Sequence, residues 1–160
     1  MARGQTVQET VREPVRVRTT AQIAGHPIHP MLVPIPITCF VGALFTDIAY
    51  VASAEIMWAN FSAWLLVVGV IFGVLAAIAG LADFLGNRVV RAQSPGWPHL
   101  IGNAVVLGLA VVNTLIHMRD AWTSVWPTGL ILSVLTVLIL PVTGWLGWAL
   151  VYRHGVGVAR

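Results

Sequence analysis

Charged side chains are scarce in this sequence, and lysine is missing altogether. Of 160 residues, nine are basic and six are acidic, while 58% are hydrophobic and the mean hydropathy is +0.84. So few polar groups cannot cover the surface of a soluble globule. The composition therefore excludes a soluble domain and predicts a protein of the lipid bilayer.

Cysteine is nearly absent as well. The single Cys39 has no partner in the chain, which excludes an internal disulfide framework and a covalent CxxCH haem attachment. Residues 1–22 mix both signs of charge and have no apolar core, so we expect no cleaved signal peptide. The arginines there have acidic neighbours and no aromatic residue among them, so we expect no nucleic-acid partner.

Long apolar runs make up most of what remains. A run of about 20 such residues spans the roughly 30 Å hydrocarbon core of a bilayer. Four runs of about this length are present, at residues 31–52, 59–82, 99–116 and 127–151. Because the connections between them are short, we predict a single all-α domain over residues 25–158, an integral membrane four-helix bundle.

The arginines determine the predicted orientation. Eight of the nine fall on one side of a four-span protein, and only Arg119 falls on the other. The positive-inside rule then places both termini in the cytoplasm, and we expect a multi-pass protein of a bacterial inner membrane. Residues 1–24, polar and arginine-rich, are predicted to form a mobile cytoplasmic tail.

Two histidine–proline pairs stand at the mouth of the first span, in residues 25–36. A residue before proline is pushed out of the helical region, so we predict that this segment enters the membrane as turns and extended chain. The stretch from His26 to His29 is also typical of a β-turn with Pro27 in its second position, which would bring both imidazoles to one site. Alternatively, the prolines only start the helix, and the histidines keep their polar tips at the headgroups.

Small residues form a seam along the second span. They are Gly69, Gly73, Ala76, Ala77 and Gly80. Such a seam lets a neighbouring helix approach closely, and Gly69 with Gly73 matches the GxxxG motif. The same lack of side chains would make room for a flat macrocycle, whereas the packing interpretation needs no cofactor.

Five ionisable residues are predicted to lie at one depth, the cytoplasmic interface. They flank or end the four spans: His26, His29, Asp83, His99 and His154. In a compact bundle these ends converge, so we expect a shared site there. His117 follows His99 by roughly 27 Å along the helix and belongs with Asp47 at the opposite face, where the role of both residues is open.

The heads of spans one and three echo each other. Pro-Ile-His-Pro at residues 27–30 resembles Trp-Pro-His at residues 97–99, where Asn103 follows His99 on the same helix face. Each motif starts a hairpin that runs out and back. The echo predicts a parallel repeat of two helical hairpins.

Four stretches resemble the bacterial membrane family known as domain of unknown function 2231. They are GHPIHPMLVPIPITCFVGALFTD, GLADF, PHLIGN and VTGWLGWALVYRHGVGV. The resemblance covers residues 22–158 and carries over His26, His29, Asp47, Asp83, His99, Asn103, Gly144, Gly147, Tyr152 and His154. Trp148 and Ala149 stand where the family pattern has a second small or acidic residue. Relatives joined to Rieske-type iron–sulfur domains imply redox work in the membrane.

Three function classes stay open. In a b-type haem protein, the axial imidazoles would come from His29 with His99, or from His26 with His154. In a non-haem site for zinc, iron or copper, His26, His29 and His99 would be the ligands. Asp83 would then be a fourth metal ligand or a hydrogen-bond partner of the others. In a structural or accessory subunit without a cofactor, the polar residues would only join helix ends.

The function that we predict is redox or electron-transfer work in the membrane, with the accessory subunit as the alternative. Nothing in the sequence pairs a nucleophile with a base and an orienting group, so hydrolytic chemistry is not indicated, and enzymatic activity stays undecided. Besides the lipid bilayer, the expected partners are a redox protein or a larger membrane complex. A homo-oligomer is a further alternative.

Overall fold

The structure, a computed structural model, describes residues 17–157 of the chain. Its elements follow one another as β1 (Gln22–Ile23), β2 (His26–Pro27), α1 (Ile28–Leu32), α2 (Pro34–Ser53), α3 (Ile56–Gly86), α4 (Arg88–Ala92), α5 (Gly96–His117), α6 (Ala121–Ser124) and α7 (Thr128–Tyr152). Four helical segments are long and apolar enough to cross a membrane: Ile28–Ser53, Ile56–Gly86, Gly96–His117 and Thr128–Tyr152. The prediction of an all-α membrane bundle is confirmed, while the orientation of its termini stays a prediction.

The four long helices pack in a ring around one core. α2 contacts α3 and α7, and α5 contacts the same two helices. All four contribute buried side chains to the core: Phe40, Ala43, Leu66, Val106, Ala110 and Leu140. Large apolar side chains such as Trp64 and Leu138 point outward and are exposed, as expected for a surface that faces lipid tails rather than water.

Proline and a left-handed residue mark several helix boundaries. α2 begins at Pro34, where the missing N–H costs nothing because the first turn has no intrahelical acceptor. It ends at Ser53, and the next residue, Ala54, has a φ of 57° that reverses the chain into α3. α7 runs through Pro141 without interruption, which a membrane helix tolerates when neighbouring groups satisfy the freed carbonyl.

The bundle has two ends, which we name by what they hold. The terminal end contains residues 17–30, 84–100 and 150–157, and the distal end contains residues 47–60 and 113–133. At the terminal end, Val17 is buried against Phe84 and Val90 and forms a parallel bridge with Val156. The two ends of the described chain are therefore tied together there.

Part of the predicted mobile tail is packed on the bundle. Of residues 1–24, the first 16 lie outside the described residues. Val17 is 4% exposed and Thr19 is 8% exposed, and the N–H of Ala21 donates to Asp83 at 2.6 Å. Residues 17–24 thus close the terminal end, a role that the absence of apolar periodicity did not reveal.

The predicted β-turn at His26–His29 is wrong. His26 and Pro27 lie in β2, which pairs with β1, and the reversal falls on Ala24 and Gly25, both with positive φ. His29 is instead helical and lies in the first turn of α1. Pro30 is compatible with that turn because the first N–H groups of a helix have no intrahelical acceptor to lose. His26 and His29 are therefore separated by a change from strand to helix.

Candidate functional site

His29 lies in α1 and its ring contacts α3. Its Nδ1 is 2.7 Å from the backbone oxygen of Ala76. Gly80, one turn beyond Ala76, permits this approach, because a Cβ at that position would lie 2.8 Å from the same nitrogen. The missing side chain at Gly80 is thus the space that the imidazole fills.

The rest of the α3 seam is filled by neighbouring helices. A Cβ on Gly69 would meet the ring of Phe40, and a Cβ on Gly73 would lie 3.2 Å from Leu107. Close helix packing therefore accounts for these glycines. The side chains of α2 and α5 leave no place for a flat macrocycle against Gly69 or Gly73.

His99 lies in the first turn of α5 and its ring contacts α7. Its Nδ1 is 3.0 Å from the backbone oxygen of Thr143, and a Cβ on Gly147 would lie 2.9 Å from its Cε1. Asn103 donates from its amide nitrogen to the backbone oxygen of His99 at 2.7 Å. The same amide nitrogen is 3.4 Å from the Nε2 of His99, near the upper limit for a hydrogen bond.

The rings of His29 and His99 meet at the terminal end. Their centres are 6.0 Å apart, and their planes are almost perpendicular at 83°. A backbone carbonyl can only accept a hydrogen bond, so in each neutral ring the proton belongs on Nδ1, which leaves an unprotonated Nε2. A neutral imidazole nitrogen whose partner nitrogen is hydrogen-bonded is a common metal ligand.

The two histidine contacts repeat each other along the chain. His99 follows His29 by 70 residues, and Gly147 follows Gly80 by 67. In both cases the ring contacts a carbonyl four residues before a glycine of the next long helix. The echo between the heads of spans one and three thus extends to equivalent contacts in the two hairpins.

The other residues of the predicted cluster do not join this pair. Asp83 is buried and accepts the N–H of Ala21, whereas His26 is exposed on β2. His154 follows α7, and within residues 17–157 neither it nor His26 has a ring contact or side-chain hydrogen bond with the pair. Across that same part of the chain, no group of three or more His, Cys, Asp or Glu side chains could hold a metal ion. The proposed set of three histidines with Asp83 is therefore not gathered.

A second polar cluster lies at the distal end. Asp47 of α2 is fully buried, and one of its oxygens is 2.9 Å from the Nε2 of His117. The other oxygen accepts the hydroxyl of Ser133 at 2.6 Å. Ser133 in turn accepts the amide nitrogen of Asn113 at 2.8 Å. The expected association of Asp47 with His117 is thus a direct contact between α2 and α5, and Ser133 adds α7 to the cluster.

Sequence reasoning missed several partners of these histidines. The oxygens of Ala76 and Thr143 leave no trace in a sequence, because any residue type supplies a carbonyl. Ser133 was missed because it lies in a continuous apolar run. Two glycines could have indicated where the histidine rings pack. Gly80 and Gly147 each occupy a helix interior, where glycine is unfavourable without a packing reason.

Comparison with known proteins identifies a family but no function. Residues 25–160 match the model of the family described as a predicted membrane protein, DUF2231, and the chain therefore belongs to that family. No curated protein and no solved structure matches it. The resemblance inferred from the sequence motifs is confirmed. Because a family description of this kind states only the membrane location, function has to be argued from the site.

Proposed function

We propose that this member of the DUF2231 family binds haem b through His29 and His99 and transfers electrons in the membrane. Each histidine would hold the haem iron through its Nε2, and the haem would supply reversible one-electron chemistry. The observation that carries the proposal is the common setting of the two rings. Each Nδ1 faces a backbone carbonyl, and the ring centres are 6.0 Å apart.

The separation of the rings suits a shared metal. A bond between a metal and an imidazole nitrogen is about 2.0–2.1 Å long, so two rings that hold one metal would have to lie close together, as His29 and His99 do. The bond from each Nδ1–H to a carbonyl would hold the ring orientation and increase the basicity of Nε2. Both effects favour ligation by His29 and His99.

The number of ligands favours haem over a bare metal ion. A tetrahedral or octahedral ion needs three or more protein ligands to be held firmly. In the part of the chain that the structure describes, His29 and His99 have no third His, Cys, Asp or Glu with which to complete such a group. Haem needs only two, because the porphyrin supplies the other four nitrogens.

The visible spectrum and metal content of the purified full chain test this proposal directly. The protein would be extracted in mild detergent from cells supplied with iron and a haem precursor. We expect a Soret band, α-bands that sharpen on reduction, and about one iron per chain if the pair holds one haem. Bound zinc, copper or iron without a Soret band would indicate a non-haem site instead. A colourless, metal-free protein would favour the accessory subunit.

Single histidine variants assign the ligands. His29→Ala and His99→Ala should each remove most of the haem while membrane yield stays near that of the wild type. His26→Ala and His154→Ala are matched controls, because they remove imidazoles from the same end of the bundle that do not contact the pair. Loss of haem in the controls, with retention in the first two variants, would reassign the ligands to His26 and His154.

A further inference from the structure

The hydrogen bonds around His117 fix the number of protons in the distal cluster. The Nδ1 of His117 is 3.0 Å from the backbone oxygen of Asn113, which only accepts, so Nδ1 carries a proton. The Nε2 of His117 is 2.9 Å from Asp47, and this contact needs a proton of its own. That proton makes the pair either imidazolium with carboxylate or imidazole with carboxylic acid, and both forms have no net charge.

One atom of the cluster has no hydrogen-bond partner in the described part of the chain. Asn113 is fully buried, and its Oδ1 is the buried side-chain oxygen that makes no hydrogen bond within residues 17–157. Its amide nitrogen donates to Ser133 of the cluster. A buried acceptor of this kind calls for a donor, which a water molecule can supply.

A neutral junction elsewhere in the bundle indicates that adhesion between helices does not require an ionisable pair. α2 and α3 are joined by the hydroxyls of Thr46 and Ser62, which are 2.7 Å apart. Ser62 also contacts the backbone oxygen of Ala43. Ser62 precedes Ser133 by 71 residues, close to the spacing of the hairpin repeat. The helices of the first hairpin are thus joined by neutral groups alone, whereas Ser133 of the second hairpin also contacts Asp47, whose other partner is His117.

We propose that Asp47 and His117 form a proton-binding site at the distal end, with a bound water at the Oδ1 of Asn113 as the exchange partner. On release, the proton between Asp47 Oδ1 and His117 Nε2 passes to water, and the pair changes from no net charge to a charge of −1. Uptake is the reverse step. No electron moves, and no bond between heavy atoms forms or breaks. Charged groups enclosed in membrane helices commonly mark such proton sites.

Nitrogen NMR of the full chain in lipid nanodiscs tests the proton count. Histidine would be labelled with ¹⁵N and aspartate with ¹³C, and the His117 signals are those that persist when each of the other four histidines is replaced in turn. We expect either a doubly protonated ring beside an ionised carboxylate or a singly protonated ring beside a carboxylic acid. A singly protonated ring beside an ionised Asp47 is the released state, so finding it at every pH tested would overturn the proposal.

Hydrogen exchange then separates a proton site from a locked structural pair. In D₂O the proton of the pair should exchange at least about tenfold faster than the backbone amides of Val106 and Ala110, which open only with the bundle. Exchange as slow as those amides would show that the pair is structural. Ser62→Ala is the matched control and should leave the proton count unchanged. None of these measurements depends on haem, so the proton site and the haem site fail independently.

Discussion

The imidazoles of His29 and His99 meet with their centres 6.0 Å apart although 70 residues of chain separate them. Each ring belongs to the first helix of one hairpin and is held by a carbonyl of the second, Ala76 or Thr143. Asp47 and His117, also 70 residues apart, meet at the distal end. Residues at equivalent positions of the two hairpins thus contact each other at both ends of the bundle. Each of the two sites therefore forms only when the two hairpins pack together.

The glycines behind the histidine rings should be essential to cofactor binding. Gly80→Ala and Gly147→Ala would each place a Cβ less than 3 Å from an imidazole, so the ring must move from its carbonyl. Loss of such support typically lowers affinity about 10- to 100-fold, and we expect haem per chain to fall accordingly in spectra of the purified variants.

Two other glycines provide the control for these substitutions. A Cβ on Gly108 or Gly144 would meet nothing within 4 Å. Gly108→Ala and Gly144→Ala should therefore keep the haem, with equal or higher thermal stability because alanine is the better helix former. If all four substitutions reduce haem equally, a general effect on helix packing explains the loss, and the role given to Gly80 and Gly147 is incorrect.

The topology can be tested with reporters, because eight of nine arginines lie on one side. A reporter that is active only outside the cytoplasm should be silent when fused after Arg160. The same reporter should be active when inserted beside Asp120. The reverse pattern would show that the bundle has the opposite orientation in the membrane, with His29 and His99 at the outer face.

The sequence predicted the spans well because bilayer thickness and helix rise act on every residue of a run. The four predicted apolar runs therefore agree closely with the four helices that are long enough to span a membrane. The entry to span one was predicted less well. The rule that a residue before proline avoids the helix held for His26 but not for His29, which lies in a first helical turn where the missing N–H of Pro30 costs no hydrogen bond.

The candidate site was predicted only in part, because the sequence indicates the depth of a residue in the membrane but not the direction of its side chain. Topology placed His26, His29, Asp83, His99 and His154 at one level of the membrane. Depth does not determine which way a side chain points around the helix axis, and of these five residues only His29 and His99 have rings in contact within residues 17–157. Asp83 instead accepts a hydrogen bond from Ala21 in residues 17–24. The packing of that segment depends on tertiary contacts, which a local sequence pattern does not predict.

Removal of the buried carboxylate at the distal end should destabilise the bundle without affecting the haem. Asp47→Ala leaves His117 and Ser133 without their shared hydrogen-bond partner, and breaking a buried pair typically costs about 3–5 kcal/mol. Ser62→Ala removes a neutral contact with Thr46 and should cost about 0.5–1.5 kcal/mol. Denaturant unfolding in detergent micelles measures both. Equal losses would mean that Asp47 is no more than a hydrogen-bonding group.

Val17 provides a test of whether the segment before β1 stabilises the terminal end. Its side chain is 4% exposed and packs on Phe84 and Val90, while its backbone bonds to Gly155 and Gly157. Val17→Ala keeps the backbone contacts but removes two buried methyl groups, so we expect a loss of about 1–2 kcal/mol. The control is Val142→Ala, at a position 61% exposed on α7, which removes the same atoms from the lipid-facing surface and should change stability little.

Amide hydrogen exchange locates the effect of Val17→Ala. In this variant the protection of Val90 and Val156 should fall, while that of Val106 in the bundle core stays as in the wild type. Unchanged protection at Val90 and Val156 would show that the bundle holds its terminal end closed without this segment.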